Sequence, residues 1–226
     1  MVMYKKRFGF TLIELIVAIV VISITLMSIP MLLSQANKSD EFSLNQEAIL
    51  AGMIKMGNIL SYPWDEKLVN SEKTKYILDV TNGDSELDRY SDANSTRRIG
   101  NFKSKFRRKF YTDETNASVT LGYDKGNEFD DIDDFNGIST HISGNGGGDY
   151  IRDFNLTTTV NYISDQADYN STTLTMDINT ATITPTTNIK MVEVNVLDNK
   201  NNELITTFRA FSSNIGSYEL LYKEFN

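Results

Sequence analysis

The stretch Lys5-Lys6-Arg7-Phe8-Gly9-Phe10-Thr11-Leu12-Ile13-Glu14-Leu15 sets three cations and a glycine directly ahead of a long apolar run that carries one acid. A secretory signal places its small-residue cleavage site after the apolar core. Here the candidate small residue, Gly9, precedes the core, so a cut there would leave the core on the mature chain. Residues 10–33, FTLIELIVAIVVISITLMSIPMLL, hold a single charge. As a helix they would span about 36 Å, enough to cross a hydrocarbon layer of ~30 Å. The run reads as a transmembrane anchor. With Lys5, Lys6 and Arg7 before it and acids from Asp40 onward behind it, the positive-inside rule keeps the N-terminus in the cytoplasm and sends the remainder across.

This arrangement resembles the class III leader of type IV prepilins and type II secretion pseudopilins, over about residues 5–33. The resemblance implies that a membrane prepilin peptidase/methyltransferase cuts after Gly9 and methylates the new first residue, Phe10. It implies a single-pass protein of the bacterial inner membrane that later enters a pilus or pseudopilus. Its further partners would be other pilin or pseudopilin subunits and an inner-membrane assembly platform. The fold implied is α+β, a type IV pilin-like ladle with a long N-terminal helix packed on an antiparallel β-sheet. The expected division is a leader at 1–9 that is removed, a transmembrane half-helix at 10–33, an amphipathic half-helix at 34–62, and an extracytoplasmic β-rich domain at 63–226.

An acid within a spanning helix costs roughly 2.5–3.5 kcal/mol on insertion scales, so Glu14 needs a cationic partner. On the mature chain the nearby cation is the new amine of Phe10. In the resembled family this Glu pairs with the N-terminal amine of a neighbouring subunit as helices bundle, and that assembly role carries to Glu14. Pro30 lacks an N–H and its ring crowds the carbonyl of Leu26, so the helix should kink or loosen there. Ser23, Thr25 and Ser28 lie close enough for a hydroxyl to serve the freed backbone groups. The resemblance implies that the segment around Pro30 melts on assembly.

Beyond the anchor, Phe42, Ile49, Met53, Met56 and Leu60 recur at helical spacing, which predicts an apolar stripe facing a sheet. Tyr62-Pro63-Trp64-Asp65 then ends the helix, because the residue before proline is pushed out of the α region. Trp64 is expected to pack below that end or to mark the interface belt. Residues 65–95 read as connecting loop, with Tyr76–Val80 as the strand-like piece. Residues 150–163, 171–178, 188–197 and 203–212 are rich in Val, Ile, Thr, Phe and Tyr and predict strands. Asp198-Asn199-Lys200-Asn201-Asn202 predicts a hairpin turn between the last two.

Loss of the three leader cations would take the formal charge from −8 to −11. An acidic balance of this size disfavours nucleic acid as a general partner. The chain has no cysteine, which excludes disulfides, thiol chemistry and thiolate metal sites. Many pilins close a C-terminal loop with a disulfide, so here packing or ions must hold that region.

Two segments are candidates for chemistry. Glu128–Gly137 packs four Asp, a Glu and an Asn into ten residues. Hard cations need six to eight oxygens, which makes Asp130, Asp131, Asp133, Asp134 and Asn136 candidate Ca²⁺ ligands, although the spacing is not that of an EF-hand. The opposing reading is an ordinary acidic loop with Phe129, Ile132 and Phe135 tucked inward. The run also resembles an Asp-rich loop of minor pilins of the mannose-sensitive haemagglutinin type. With the lack of cysteine and the segment Phe208–Gly216, it inclines the reading toward such a minor pilin. The second segment, Arg97–Tyr111, carries seven cations and no acid. Read as a strand, it puts Lys103, Lys105, Arg107 and Lys109 on one face, opposite Phe102, Phe106 and Phe110. A membrane-anchored module could grip DNA or another anionic surface with that strip.

Enzyme motifs are weak. His141 is the single histidine, so two-His metal sites are excluded, and no Gly-x-Ser-x-Gly, phosphate-loop or dinucleotide fingerprint occurs. Gly144–Gly148 reads as a flexible turn. The expected function is that of a non-catalytic minor pilin or pseudopilin that requires no cofactor.

Overall fold

The computed structural model describes residue 9 and residues 11–68, 76–92, 95–98, 108–124, 128–144, 152–168, 172–173, 175–176 and 179–216. The chain divides into two compact units, residues 1–46 and 47–226.

In the first unit the backbone is helical from Leu12, the start of helix α1 (Leu12–Leu60). Residues 11–43 are exposed throughout, and they are long and apolar enough to cross a membrane. Pro30 stays inside α1. The hydroxyls of Ser23, Thr25 and Ser28 donate to carbonyls of Ile19, Val21, Ile22 and Ile24. All of these precede Leu26, so the hydroxyls do not serve the carbonyl that Pro30 leaves without its helical donor, as the sequence had suggested.

The second unit is built on a four-stranded antiparallel sheet. In chain order its elements are β1 (Arg89–Asp92), β2 (Ser95–Arg98), β3 (Ser139–Ile142), β4 (Phe154–Ile163), β5 (Ala167–Asp168), β6 (Thr175–Met176), β7 (Ile189–Asp198) and β8 (Leu204–Ser213). The main sheet runs β3-β4-β7-β8; β1 pairs with β2 and β5 with β6 in separate hairpins. The three long strands match the sequence reading within a few residues. Of the strand expected at 171–178, only Thr175–Met176 forms within the described residues.

Alternation decides what the sheet buries. Phe154, Leu156, Val160 and Tyr162 of β4 face inward, with Val192, Val194 and Val196 of β7 beside them. Phe208 and Ala210 of β8 lie opposite Val194 and Val192 on the same face. The part of α1 within this unit packs on that face through Ala48, Ala51, Met56 and Ile59, with the buried Gly52 among them. This corrects the predicted stripe. Only Met56 of it is buried, whereas Phe42, Ile49, Met53 and Leu60 are exposed. The seam is made of small residues because the sheet comes close: a Cβ on Gly52 would lie 2.4 Å from the Phe208 ring and 2.9 Å from Val196 Cγ2. Around Gly52 a large apolar residue would not fit, and only further along, at Met56 and Ile59, does the row carry bulky side chains, so hydrophobicity alone pointed to the wrong face.

The turn after β7 folds as expected, with Asn202 at φ 57° and its N–H donating to the Asp198 carbonyl. Residues 65–95 hold more structure than a connecting loop. Ile77 and Asp79 make parallel bridges to Phe110 and Asn116, and β1 and β2 form a hairpin. Trp64 is buried with Leu68, Leu78, Ala117 and Tyr162, and its Nε1–H donates to the Ser212 carbonyl at 3.1 Å. A long N-terminal apolar helix with antiparallel β-sheets makes this an α+β protein, the composition expected of a type IV pilin-like fold.

Candidate functional site

Two places carry the candidate chemistry: the start of α1, and a buried acidic cluster below its end. At the first, Gly9 is exposed and α1 begins three residues later. Phe10 lies outside the described residues. Thr11 stands just before the helix, where first-turn amides lack carbonyl partners. Its N–H and its hydroxyl both donate to Glu14 Oε2 at 2.9 Å, and the Glu14 N–H reaches back to the Thr11 hydroxyl at 3.4 Å. This is a capping box, which the Thr-x-x-Glu spacing encodes. Within the first unit it gives the Glu14 carboxylate hydrogen bonds that need no second chain. Sequence reading had assigned Glu14 an amine partner and missed the threonine three positions earlier.

The acidic run 128–137 is not one flexible loop. Asp133–Phe135 forms a 3-10 turn, and Asp131, Asp133 and Asp134 are buried. Ile132 and Phe135 point into the core, Phe129 stacks on Phe135 at 4.4 Å, and Tyr62 meets Phe135 edge-on at 5.1 Å. Asp131 Oδ1 accepts the N–H groups of Asp133 and Asp134, and its Oδ2 accepts the N–H of Glu66 at 2.8 Å. Asp131 thus joins this turn to the chain leaving α1.

The five proposed Ca²⁺ ligands do not assemble into one site. Asp131 and Asp133 come together with Asp65 and Glu66, whereas Asp130 and Asp134 lie with Asp124. Asn136 is turned away, its Nδ2–H donating to the Leu121 carbonyl and its Oδ1 accepting from the Val160 N–H. Inside the first group sits Lys190 of β7, which is fully buried. Its Nζ donates to Asp133 Oδ1 at 2.5 Å and to the Trp64 carbonyl at 2.6 Å, and lies 3.7 Å from Asp65 Oδ2. The Trp64 ring lies 4.5 Å from it and the Tyr162 ring 5.4 Å. A lysine nitrogen therefore occupies the place a metal would take, and backbone amides hold both oxygens of Asp131. The donor set fits lysine rather than Ca²⁺. The second group brings the carboxylates of Asp124, Asp130 and Asp134 together, and Asp134 Oδ2 already accepts the N–H groups of Asp130 and Asp131.

Four acids against one lysine cannot all ionise where water is excluded. Burial pushes the Asp131 carboxyl up to about 7. Burial, followed by the neighbouring Asp65, pushes Glu66 to about 7 as well. Asp133 is raised by burial and pulled back by Lys190. The cluster is finished by Ser118, whose hydroxyl donates to Glu66 and whose N–H donates to Asp65 Oδ2, while Tyr162 donates its hydroxyl proton to the Ser118 carbonyl. Lys190 was missed because it lies near the start of the alternating strand 188–197, where a lysine reads as solvent-facing.

Of the proposed cationic strip, Lys103, Lys105 and Arg107 lie outside the described residues. Lys109 Nζ lies 5.6 Å from the centre of the Tyr76 ring. Phe110 is buried, and Arg97 stacks over Tyr90 at 4.4 Å. His141 Nδ1 lies 3.0 Å from Asn155 Oδ1 at the surface.

Residues 4–29 match the family model described as the prokaryotic N-terminal methylation motif. The match covers the N-terminal segment alone, which is similar to the class III leader of type IV prepilins and pseudopilins, and among the described residues α1 is the helix long and apolar enough to cross a membrane. No curated protein and no solved structure matches the chain significantly.

Proposed function

We propose that this chain is a non-catalytic minor pilin or pseudopilin. It is cut between Gly9 and Phe10, methylated on Phe10, and drawn through an inner-membrane platform into a type IV pilus or secretion pseudopilus. The carrying observation is the methylation motif over residues 4–29, with exposed Gly9 directly before a helix whose first turn holds Glu14. Residues 1–9 are the leader, 10–33 the membrane segment, 34–62 the extension of that helix, and 63–226 the extracytoplasmic domain. On assembly the Glu14 carboxylate exchanges Thr11 for the amine of an adjacent subunit's first residue, a charge match that selects one axial register. The segment around Pro30 loosens in the same step. The lack of cysteine, the Asp-rich run and the segment Phe208–Gly216 favour the mannose-sensitive haemagglutinin type of minor pilin.

The test is the N-terminus of the chain in cells that hold the assembly machinery. Gly9→Ala should accumulate as full-length precursor in the inner membrane and be missing from sheared filaments, while the unaltered chain yields filaments that start at methylated Phe10. Filaments containing copies that begin at Met1 would refute the reading.

A further inference from the structure

A nucleophile and a carboxyl electrophile are held in contact inside the acidic cluster. Lys190 Nζ lies 2.5 Å from Asp133 Oδ1, with the two side chains 0% and 4% exposed. That contact keeps the Asp133 carboxyl carbon within roughly 3.8 Å of the nitrogen, near the separation of about 3–3.5 Å found in near-attack conformers. The nitrogen is fixed from several sides. It donates to the Trp64 carbonyl and stands over the Trp64 and Tyr162 rings, which also close the site to solvent.

The groups needed to move protons are present. Asp65 Oδ2, 3.7 Å from Lys190 Nζ, is the acceptor for a proton leaving nitrogen. Asp131 stands beside Asp133 in the same group of carboxyls, its Oδ1 accepting the Asp133 N–H at 2.8 Å and its Oδ2 the Glu66 N–H at 2.8 Å. Because three buried acids and the half-buried Glu66 share one basic partner, the cluster retains a proton for the departing oxygen.

We propose that Lys190 and Asp133 condense into an intramolecular amide, a covalent staple between β7 and the 3-10 turn at Asp133–Phe135. Lys190 passes a proton to Asp65, and the neutral nitrogen attacks Cγ of Asp133. The Nζ–Cγ bond forms, a Cγ–O bond breaks, and the oxygen leaves as water. Its two hydrogens come from the two that nitrogen sheds, relayed through Asp65 and Asp131, which end as they began. One ammonium and one carboxylate give one amide and one water. No electron is transferred and no co-reactant is required.

The environment favours this direction. Condensation removes two charges from a site closed to solvent, and reversal needs a water to enter it. The product closes a loop between residues 133 and 190 in a chain without cysteine, constraining the unfolded state as a disulfide would.

The test is the intact mass of the purified full-length protein in detergent, followed by proteolysis under denaturing conditions. The unaltered chain should be lighter than its sequence by one water, about 18 Da, and should yield a branched peptide joining the segments around Asp133 and Lys190. Lys190→Arg and Asp133→Ala should restore the full mass. Asp65→Asn, checked for folding by circular dichroism, should slow or abolish the loss. Folded, unaltered protein at its full sequence mass, with the two segments released as separate peptides, would show an ion pair only and overturn the proposal.

Discussion

The Thr11 amide and the Thr11 hydroxyl converge on the same oxygen of Glu14, each at 2.9 Å. One carboxylate thereby satisfies donors at the helix start that would otherwise face lipid or headgroups unpaired. Thr11→Val keeps the side-chain volume and deletes the hydroxyl. It should weaken the first turn of α1 by about 1 kcal/mol, the usual worth of an N-cap. Amide exchange of residues 12–15 in micelles measures this. Unchanged protection in the valine variant would mean that the capping box carries no weight.

Two glycines of α1 should respond to alanine with opposite signs. At Gly57 nothing lies within 4 Å of an added Cβ, so Gly57→Ala should stabilise the protein by about 0.5–1 kcal/mol through helix propensity. At Gly52 the same methyl meets Phe208 and Val196. Overpacking typically costs about 1–3 kcal/mol, which outweighs the propensity gain. Urea denaturation of both variants decides the matter, and equal shifts would contradict the close approach of helix and sheet.

Asn214 is fully buried and takes the place of a strand for Leu78, accepting its N–H at 3.0 Å and donating to its carbonyl at 2.8 Å. Asn214→Asp exchanges that donor for a negative charge and leaves the Leu78 carbonyl unpaired. A loss of about 3 kcal/mol is expected, as for a buried group stripped of its partner. Asn214→Gln, which keeps the donor but adds a methylene, should cost less. Thermal melts that rank the two the other way would argue against this role.

The acidic cluster should make stability depend on pH in a particular sense. Glu66 and Asp131 hold their protons up to about pH 7 in the folded chain, against about 4 when unfolded. The folded state therefore binds protons more tightly, and this contribution is full below about pH 4 and lost as the pH rises to about 7. Glu66→Gln removes one of the two groups and should flatten the fall in urea midpoint between pH 5 and pH 8. An unchanged slope in the variant would exclude Glu66 as its source.

Occupation of the cluster by Lys190 also bears on divalent cations. Millimolar Ca²⁺ or EDTA should leave the melting temperature of the protein unchanged. A Ca²⁺-dependent rise that disappears in Asp131→Asn would show that the ion competes with the lysine.

What could be read from sequence follows from which forces act locally. The anchor and the strands β4, β7 and β8 stood out because hydrophobic run length and period-two alternation are properties of neighbouring residues. The face of α1 that meets the sheet did not. Ala48, Ala51 and Gly52 are selected by the distance of Phe208 and Val196, which lie more than a hundred positions away. The hairpin of β1 and β2 was missed because Arg89, Ser91, Arg97 and Arg98 show no apolar alternation. Its arginines are held instead by distant groups: Arg89 forks onto Asp79, and Arg98 donates to Asn188 and to the Asn214 carbonyl. The acids at 131 and 133 were visible as a run, yet their meaning depended on Asp65, Glu66 and Lys190, brought together only by folding.

Asn214 reaching Leu78, Trp64 reaching Ser212 and Lys190 reaching Asp133 fasten remote parts of the second unit without any sulfur. Folding of the second unit can accordingly proceed without a thiol oxidase, and dithiothreitol should be harmless to it. A fold fastened this way suits surroundings whose redox state swings with oxygen supply.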